Sequence, residues 1–203
     1  MPPNITRWKQ RKELGLPEDK FIFINQGSGI NIDRGMEEAL AAIAQLEGAV
    51  LLIVGKGDVI PLLKKKVTQQ KLEHNVIFVD TVPYAMLLQY THASDCGLSL
   101  DKDTNINYKY SLPNKLFDYI WCGIPVLCSN VIEVARLVRK YQIGEVATDH
   151  APSTLILAMQ KLIDTPKSTY ESGLKKAQNA LNWEKEKHIL VDFYTKIKKE
   201  IDG

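Results

Sequence analysis

The chain has 203 residues, 45% of them hydrophobic and 25% charged, with a formal net charge of +2. This is enough material for a full core, and the charge balance is too even for a nucleic-acid binder. No apolar run reaches the roughly 18 residues of a membrane span, and MPPNITRWKQRKELGL lacks the apolar heart of a signal peptide, so a cytoplasmic protein is expected. Cys96, Cys122 and Cys128 are odd in number without paired spacing, and His74, His92, His150 and His188 are scattered. Neither a disulfide framework nor a metal centre is expected, and the cysteines read as small buried side chains.

Residues 1–19 read as a tether or interdomain linker, with a short helical piece from Trp8 to Leu14. Phe21 to Asn25 (FIFIN) has the pattern of a buried strand and runs into Gln26-Gly27-Ser28-Gly29, then a polar loop to Arg34-Gly35. Met36 to Leu46 is an amphipathic helix, and Ala49 to Val54 is a second apolar strand. Gly55-Lys56-Gly57 makes the next turn, with Asp58 expected to cap a helix that reaches Gln70. Asn75 to Val79 is a third strand, Pro83 to Tyr90 a short helix, and residues 93–100 contain a fourth strand.

Asp101 to Lys109 reads as a polar loop without periodicity. Ser111-Leu112-Pro113 then opens a helix, with proline expected at the first helical position, where no N–H is needed. Gly123 ends that helix, and residues 124–128 form a fifth apolar run of strand length. Val131 to Tyr141 is a helix, Ile143 to Ala147 a sixth strand, and Ser153 to Ile163 another helix. From Lys167 onward the pattern is helical, broken at Asn182.

Apolar strands alternating with helices at this rhythm predict a doubly wound α/β domain, a parallel sheet of about six strands covered on both faces. The domain is placed at residues 20–165, with 166–203 as C-terminal helices that pack on it or cross to another domain. In such sheets ligands bind beyond the carboxyl ends of the strands, which here means the loops 26–35, 55–58, 80–83 and 101–115.

Those loops carry the chemistry. Gly27-Ser28-Gly29 fails the dinucleotide fingerprint, because Ile32 stands at the third-glycine position and Gly55, not an acid, ends the second strand. The same glycines allow close backbone approach to a ligand, and Arg34 at the following helix can bind phosphate oxygens bidentately. Gly55 and Gly57 flank Lys56 in the next turn. After Pro113, the residues Asn114, Lys115 and Asp118 share one polar helix face, while Leu116, Phe117, Ile120 and Trp121 fill a face for burial. An amide, a lysine and a carboxylate at a helix N-terminus suit a phosphate ester with sugar hydroxyls nearby. Asp118 could hold a vicinal diol such as a ribose, or pair with Lys115. Asp101 and Asp103 read as solvated loop carboxylates, with ligand contact as the alternative, and Tyr108 and Tyr110 as stacking residues or as a cover over the core. Lys175 to Lys199 interleaves lysines with Leu181, Trp183, Ile189, Val191, Phe193 and Ile197. It is expected to pack on its own domain, with docking on another domain or an anionic membrane surface as the alternatives.

Taken together, QGSGINIDRGMEEAL, LLIVGKGD, NVIFVDTVP, Ala93-Ser94-Asp95, SLPNKLFDYIWCGIPVLCSN and KYQIGEVA resemble the C-terminal, donor-binding half of a GT-B glycosyltransferase of the retaining, nucleotide-sugar-dependent group 1. The resemblance covers nearly the whole chain and implies a Rossmann-like half of that fold, acting in polysaccharide biosynthesis. By position, it implies that Arg34 contacts the donor diphosphate and that Pro113, Asn114 and Lys115 face the phosphates and the transferred sugar. Arg34 and Lys115 are the implied catalytic residues, and Gly27, Ser28, Gly29, Gly55, Pro113, Asn114 and Asp118 the implied substrate contacts. Asp118 stands where the second acid of the E-x7-E signature holds the ribose, Tyr110 replaces the first acid, and Ser28 stands where many relatives carry a second basic residue. The implied partners are a nucleotide-sugar donor and a separate N-terminal acceptor-binding domain, with peripheral membrane contact in the full enzyme. No cofactor or metal is expected, since Asp101-Lys102-Asp103 matches the metal-binding Asp-x-Asp only in its letters. A chain of this length holds one such domain and is expected to transfer little alone. A nucleotide-sugar epimerase of the same fold and a noncatalytic nucleotide- or sugar-binding module are the alternatives.

Overall fold

The computed structural model describes residues 7–202. Its centre is an all-parallel sheet of β1 (Phe21–Gly27), β2 (Ala49–Gly55), β3 (Val76–Val79), β4 (Cys96–Ser99), β5 (Val126–Ser129) and β6 (Gly144–Ala147). The strand order is β3-β2-β1-β4-β5-β6, so the winding reverses between β1 and β4. β1 and β2 pair from Phe21–Ala49 through Gly27–Gly55, which brings both strand ends to one level. β1, β2, β4 and β5 are buried because helices cover both faces, and the long apolar runs of β1 and β2 meet that environment, whereas the edge strands β3 and β6 are only half-buried.

The helices are α1 (Arg7–Glu13), α2 (Met36–Ile43), α3 (Ile60–Gln70), α4 (Tyr84–Ala93), α5 (Ile106–Tyr110), α6 (Asn114–Trp121), α7 (Ile132–Tyr141), α8 (Pro152–Asp164), α9 (Ser168–Ala180) and α10 (Trp183–Asp202). α8 lies on β6 and α2, and α9 lies on α6 and α7, burying Tyr170, Leu174 and Ala177. Asn182 separates the last two helices and accepts the Lys185 N–H on its side-chain oxygen at 3.1 Å, a cap that explains the break. α10 does not pack on the domain as expected: Ile189, Leu190, Val191, Phe193 and Tyr194 are all exposed. Among the described residues no helix is long and apolar enough to cross a membrane.

α6 is docked at the reversal point by one side chain. Tyr119 is fully buried, and its hydroxyl lies 3.2 Å from the Ile24 carbonyl on β1 and 3.1 Å from the Leu98 carbonyl on β4. The ring has room because its neighbour is Gly97, where a Cβ would come within 2.3 Å of it. Tyr119, with Leu116 and Ile120, therefore forms the buried face, whereas Trp121, expected there, is 43% exposed. The apolar pattern named the right helix but put Trp121 in place of Tyr119 on its buried face, and Phe117 is only half-buried.

Three local expectations change. Pro113 sits in extended conformation as the N-cap of α6, one position before the helix. Asp58 does not cap α3. Its Oδ1 accepts the Ile32 N–H at 2.9 Å, while its own N–H donates to Asn31 Oδ1 at 3.3 Å, which ties the first two strand-end loops together. The loop after β4 contains α5, nucleated by Asn105, whose side chain accepts the Tyr108 N–H at 3.0 Å. Local side-chain capping can form a single turn that hydrophobic periodicity does not register. The three cysteines are free and buried, as expected.

Candidate functional site

A cleft of about 440 Å³ opens at the carboxyl ends of the strands, beside the β1–β4 reversal. This is where doubly wound sheets bind ligands, because the loops on either side of the reversal diverge. Gly27, Ser28, Gly29, Arg34, Gly55, Pro113, Asn114, Lys115 and Asp118 all line this one cleft, although they come from three separate stretches of sequence. Thr81, Val82, Tyr84 and Leu87 close its far side. The floor depends on glycine at one point: Gly55 has φ +129°, and a Cβ there would lie 1.9 Å from the Gly27 carbonyl oxygen. Any side chain would push the two strand ends apart.

One end of the cleft is cationic. Arg34 Nη1 lies 2.9 Å from Asp101 Oδ1, and Lys115 Nζ lies 3.9 Å from Asp101 Oδ2. Lys115 also donates to Asn25 Oδ1 at 3.1 Å, and the Arg34 guanidinium sits 4.6 Å over the Tyr108 ring. The Arg34–Asp101 approach is a charge contact without an aligned hydrogen bond. Arg34 Nε is buried with no acceptor among the described residues. A buried guanidinium donor without an acceptor is costly unless an anion completes it. Burial pulls the Lys115 ammonium below the ordinary lysine value, Asp101 draws it back up, and Arg34 adds to the lowering.

The other end is built on Asp118. Its Oδ2 accepts from Gln26 Nε2 at 2.9 Å and its Oδ1 from the Tyr84 hydroxyl at 2.7 Å. Gln26 is itself oriented by the Thr91 hydroxyl, 2.5 Å from its Oε1. Burial raises the Asp118 carboxyl above its usual range, while the bonds from Tyr84 and Gln26 hold it down. The Tyr84 phenol is pushed up to about 12 by partial burial and by the Asp118 carboxylate it bonds. Asp118 does not pair with Lys115, whose partners are Asp101 and Asn25.

Sequence reasoning missed Asn25, Gln26, Tyr84 and Asp101. Asp101 was expected to be solvated, yet it is 2% exposed, because it stands just past the buried Leu100 that follows β4, and Arg34 and Lys115 at the α2 and α6 N-termini close over it. Asn25 and Gln26, both buried, carried a usable signal as polar residues on an otherwise apolar strand. Tyr84 had none. Tyr108 covers Arg34, whereas Tyr110 is 54% exposed on α5 and does not line the cleft; Asp103 pairs at 3.5 Å with Lys109, outside the cleft. His92 bonds Gln10 at 2.6 Å and His150 approaches the Leu100 carbonyl at 3.0 Å, neither in the cleft.

The order of the strands and the cleft at their reversal define a Rossmann-type domain, with Arg34 and Lys115 side by side at one end of that cleft. The family described as glycosyl transferases group 1 matches residues 6–196, and the chain belongs to that family. Its fold is one half of the GT-B architecture. Sucrose-phosphate synthase from Thermosynechococcus elongatus superimposes with a TM-score of 0.82 at 22% identity, covering 95% of this chain and 49% of that one. HepE from Anabaena, solved in complex with UDP, gives 0.77 at 18% identity, covering 94% and 52%. The C-terminal domain of LpcC, a group 1 family protein from Francisella tularensis, gives 0.69 at 14% identity, covering 87% and 93%. This chain thus spans about half the length of the first two and nearly all of the third. No curated protein sequence matches it.

Proposed function

We propose that this chain is the donor-binding half of a retaining glycosyltransferase. It would bind a nucleoside diphosphate sugar and present it to an acceptor held by a separate N-terminal α/β domain. The observation that carries this reading is one cleft with cations at one end and a hydrogen-bonded carboxylate at the other. A diphosphate needs the first and a ribose diol the second. The UDP complex of HepE, which shares this fold, supports a nucleoside diphosphate as the ligand class.

In this assignment Arg34 and Lys115 face the diphosphate, joined by the backbone N–H groups of Asn114 and Lys115 at the start of α6. Cleaving the sugar–phosphate bond places negative charge on the leaving diphosphate as the anomeric carbon becomes oxocarbenium-like. Fixed donors aimed at that charge lower the barrier most, because they need no reorganisation as it develops. We assign this task to the two side-chain cations and no metal to the site. Asp118 accepts the ribose hydroxyls and sets the register of the nucleotide. The acceptor would attack from the face the phosphate leaves, so the domain supplies no nucleophile. The expected acceptor partner and any membrane contact belong to the remainder of the enzyme.

The test is binding by the isolated chain. UDP or GDP is expected to raise its thermal midpoint, with Arg34→Ala and Asp118→Ala each abolishing the shift. An isotherm that both substitutions leave unchanged sinks the site assignment.

A further inference from the structure

The carboxylate of Asp101 lies between the two cations assigned to the phosphates, and neither its loop nor its letter marks it for that place. Its side chain is 3% exposed, against 10% for Lys115 and 25% for Arg34. The backbone around it is fixed on both sides: the Ser129 hydroxyl donates to the Asp101 carbonyl at 2.5 Å, and the Lys102 N–H to the Asp33 carbonyl at 3.0 Å. A buried carboxylate held this firmly acts on whatever it touches. It touches one nitrogen of Arg34 and the ammonium of Lys115, and it leaves Arg34 Nε without an acceptor among the described residues.

We propose that Asp101 is a positioning residue of the phosphate site, holding Arg34 and Lys115 as a fixed pair of cations facing the cleft. The proposal rests on the reading of that cleft as a diphosphate site. Two cations converging in a partly buried space repel each other, and the nearer to neutral a lysine becomes, the less it offers a phosphate. Asp101 offsets that repulsion and orients both groups, while the Tyr108 ring braces the guanidinium face.

Among the described residues, the groups that face Lys115 are few. Asp101 comes from the end of β4, Arg34 from the start of α2, and the neutral amide of Asn25 from β1. Asp118, one turn on along α6, is engaged by Gln26 and Tyr84, and Lys102 is engaged by Glu38 and Asp33. Asp101 is the contribution that favours charged Lys115, against burial and Arg34. Its removal therefore moves the pH at which Lys115 loses its proton downward. An opposite charge at such a distance is worth about one pH unit or more.

The experiment is UDP affinity against pH for the wild-type chain and Asp101→Asn. Affinity falls on the alkaline side as Lys115 deprotonates, and the variant is expected to lose it about one pH unit earlier. Asp101→Ser, which leaves a hydroxyl and room for water, carries the same expectation should the asparagine variant not fold. A purely structural role would lower thermal stability and leave the alkaline limb in place, which overturns the proposal. An affinity that rises equally at every pH also overturns it, since Asp101 would then be a competitor of the phosphate. Titrating the Lys115 side chain by NMR in the nucleotide-free chain gives a second reading that needs no ligand. If the wild type binds no nucleotide, the proposed function fails, and this titration still decides whether Asp101 holds Lys115 charged.

Discussion

The two ends of the cleft are held by opposite means. At the Arg34 end a buried carboxylate balances two cations, and Asp101 and Asn25, which hold Lys115, are both buried. At the Asp118 end one carboxylate takes two neutral hydrogen bonds, from buried Gln26 and from Tyr84, which is 61% exposed. Removing one member of a buried charge pair strands the other in low dielectric, whereas an exposed hydroxyl is readily replaced by water or by a ligand hydroxyl. The first end is thus a fixed electrostatic fitting. The second is a seat whose outer bond a diol can take over.

The largest effect should come from breaking the fixed end. Lys115→Met leaves Asp101 with Arg34 alone and is expected to cost roughly 3 kcal/mol, measured by urea unfolding. It should also abolish the UDP-induced thermal shift. A loss no larger than that of a surface substitution would mean that the cations are held by something other than Asp101.

A smaller effect, with a defined sign in pH, is expected at the other end. Burial raises the folded Asp118 carboxyl above its ordinary 3.8, so the native state holds that proton more tightly than the unfolded chain. The stability this adds is full below 3.8 and is lost as pH rises through the folded value. The stability of wild type relative to Asp118→Asn should therefore decline as pH rises from 3.8. Urea midpoints of both proteins across that range check it, and a difference that grows with pH would reverse the assignment.

Tyr84→Phe should do least. It removes a hydrogen bond at an exposed position and is expected to change stability by about 0.5 kcal/mol or less. Because the Tyr84 bond lowers the Asp118 carboxyl, its loss should carry the decline with pH to higher values. If Tyr84→Phe costs as much as Lys115→Met, the two ends are equally rigid and the contrast between them is false.

Much of this was legible in the sequence because the signals are local. FIFIN and AVLLIV have the length and composition of buried strands, and their alternation with amphipathic stretches left a parallel sheet as the economical solution. Gly27, Arg34, Gly55, Lys115 and Asp118 could be placed at strand ends for the same reason, and a parallel sheet brings its strand ends together. The extra turn of α5 was not legible, because it rests on a single asparagine cap. Nor was the exposure of α10, whose apolar residues promise burial without saying against what.

The sequence by itself determined the elements, the parallel sheet and the set of residues at its carboxyl edge, since periodicity and turn chemistry act within a few residues. Only the tertiary structure decided the partners. Asp101 looked solvated in the chain and is buried between Arg34 and Lys115, 67 residues after the one and 14 before the other (101 minus 34; 115 minus 101). Asp118 could have paired with Lys115 along its own helix, and instead reaches Gln26 on β1 and Tyr84 on α4. The physical reason is that charge balance and hydrogen-bond satisfaction are settled in the packed interior, between groups whose separation along the chain carries no record of their contact.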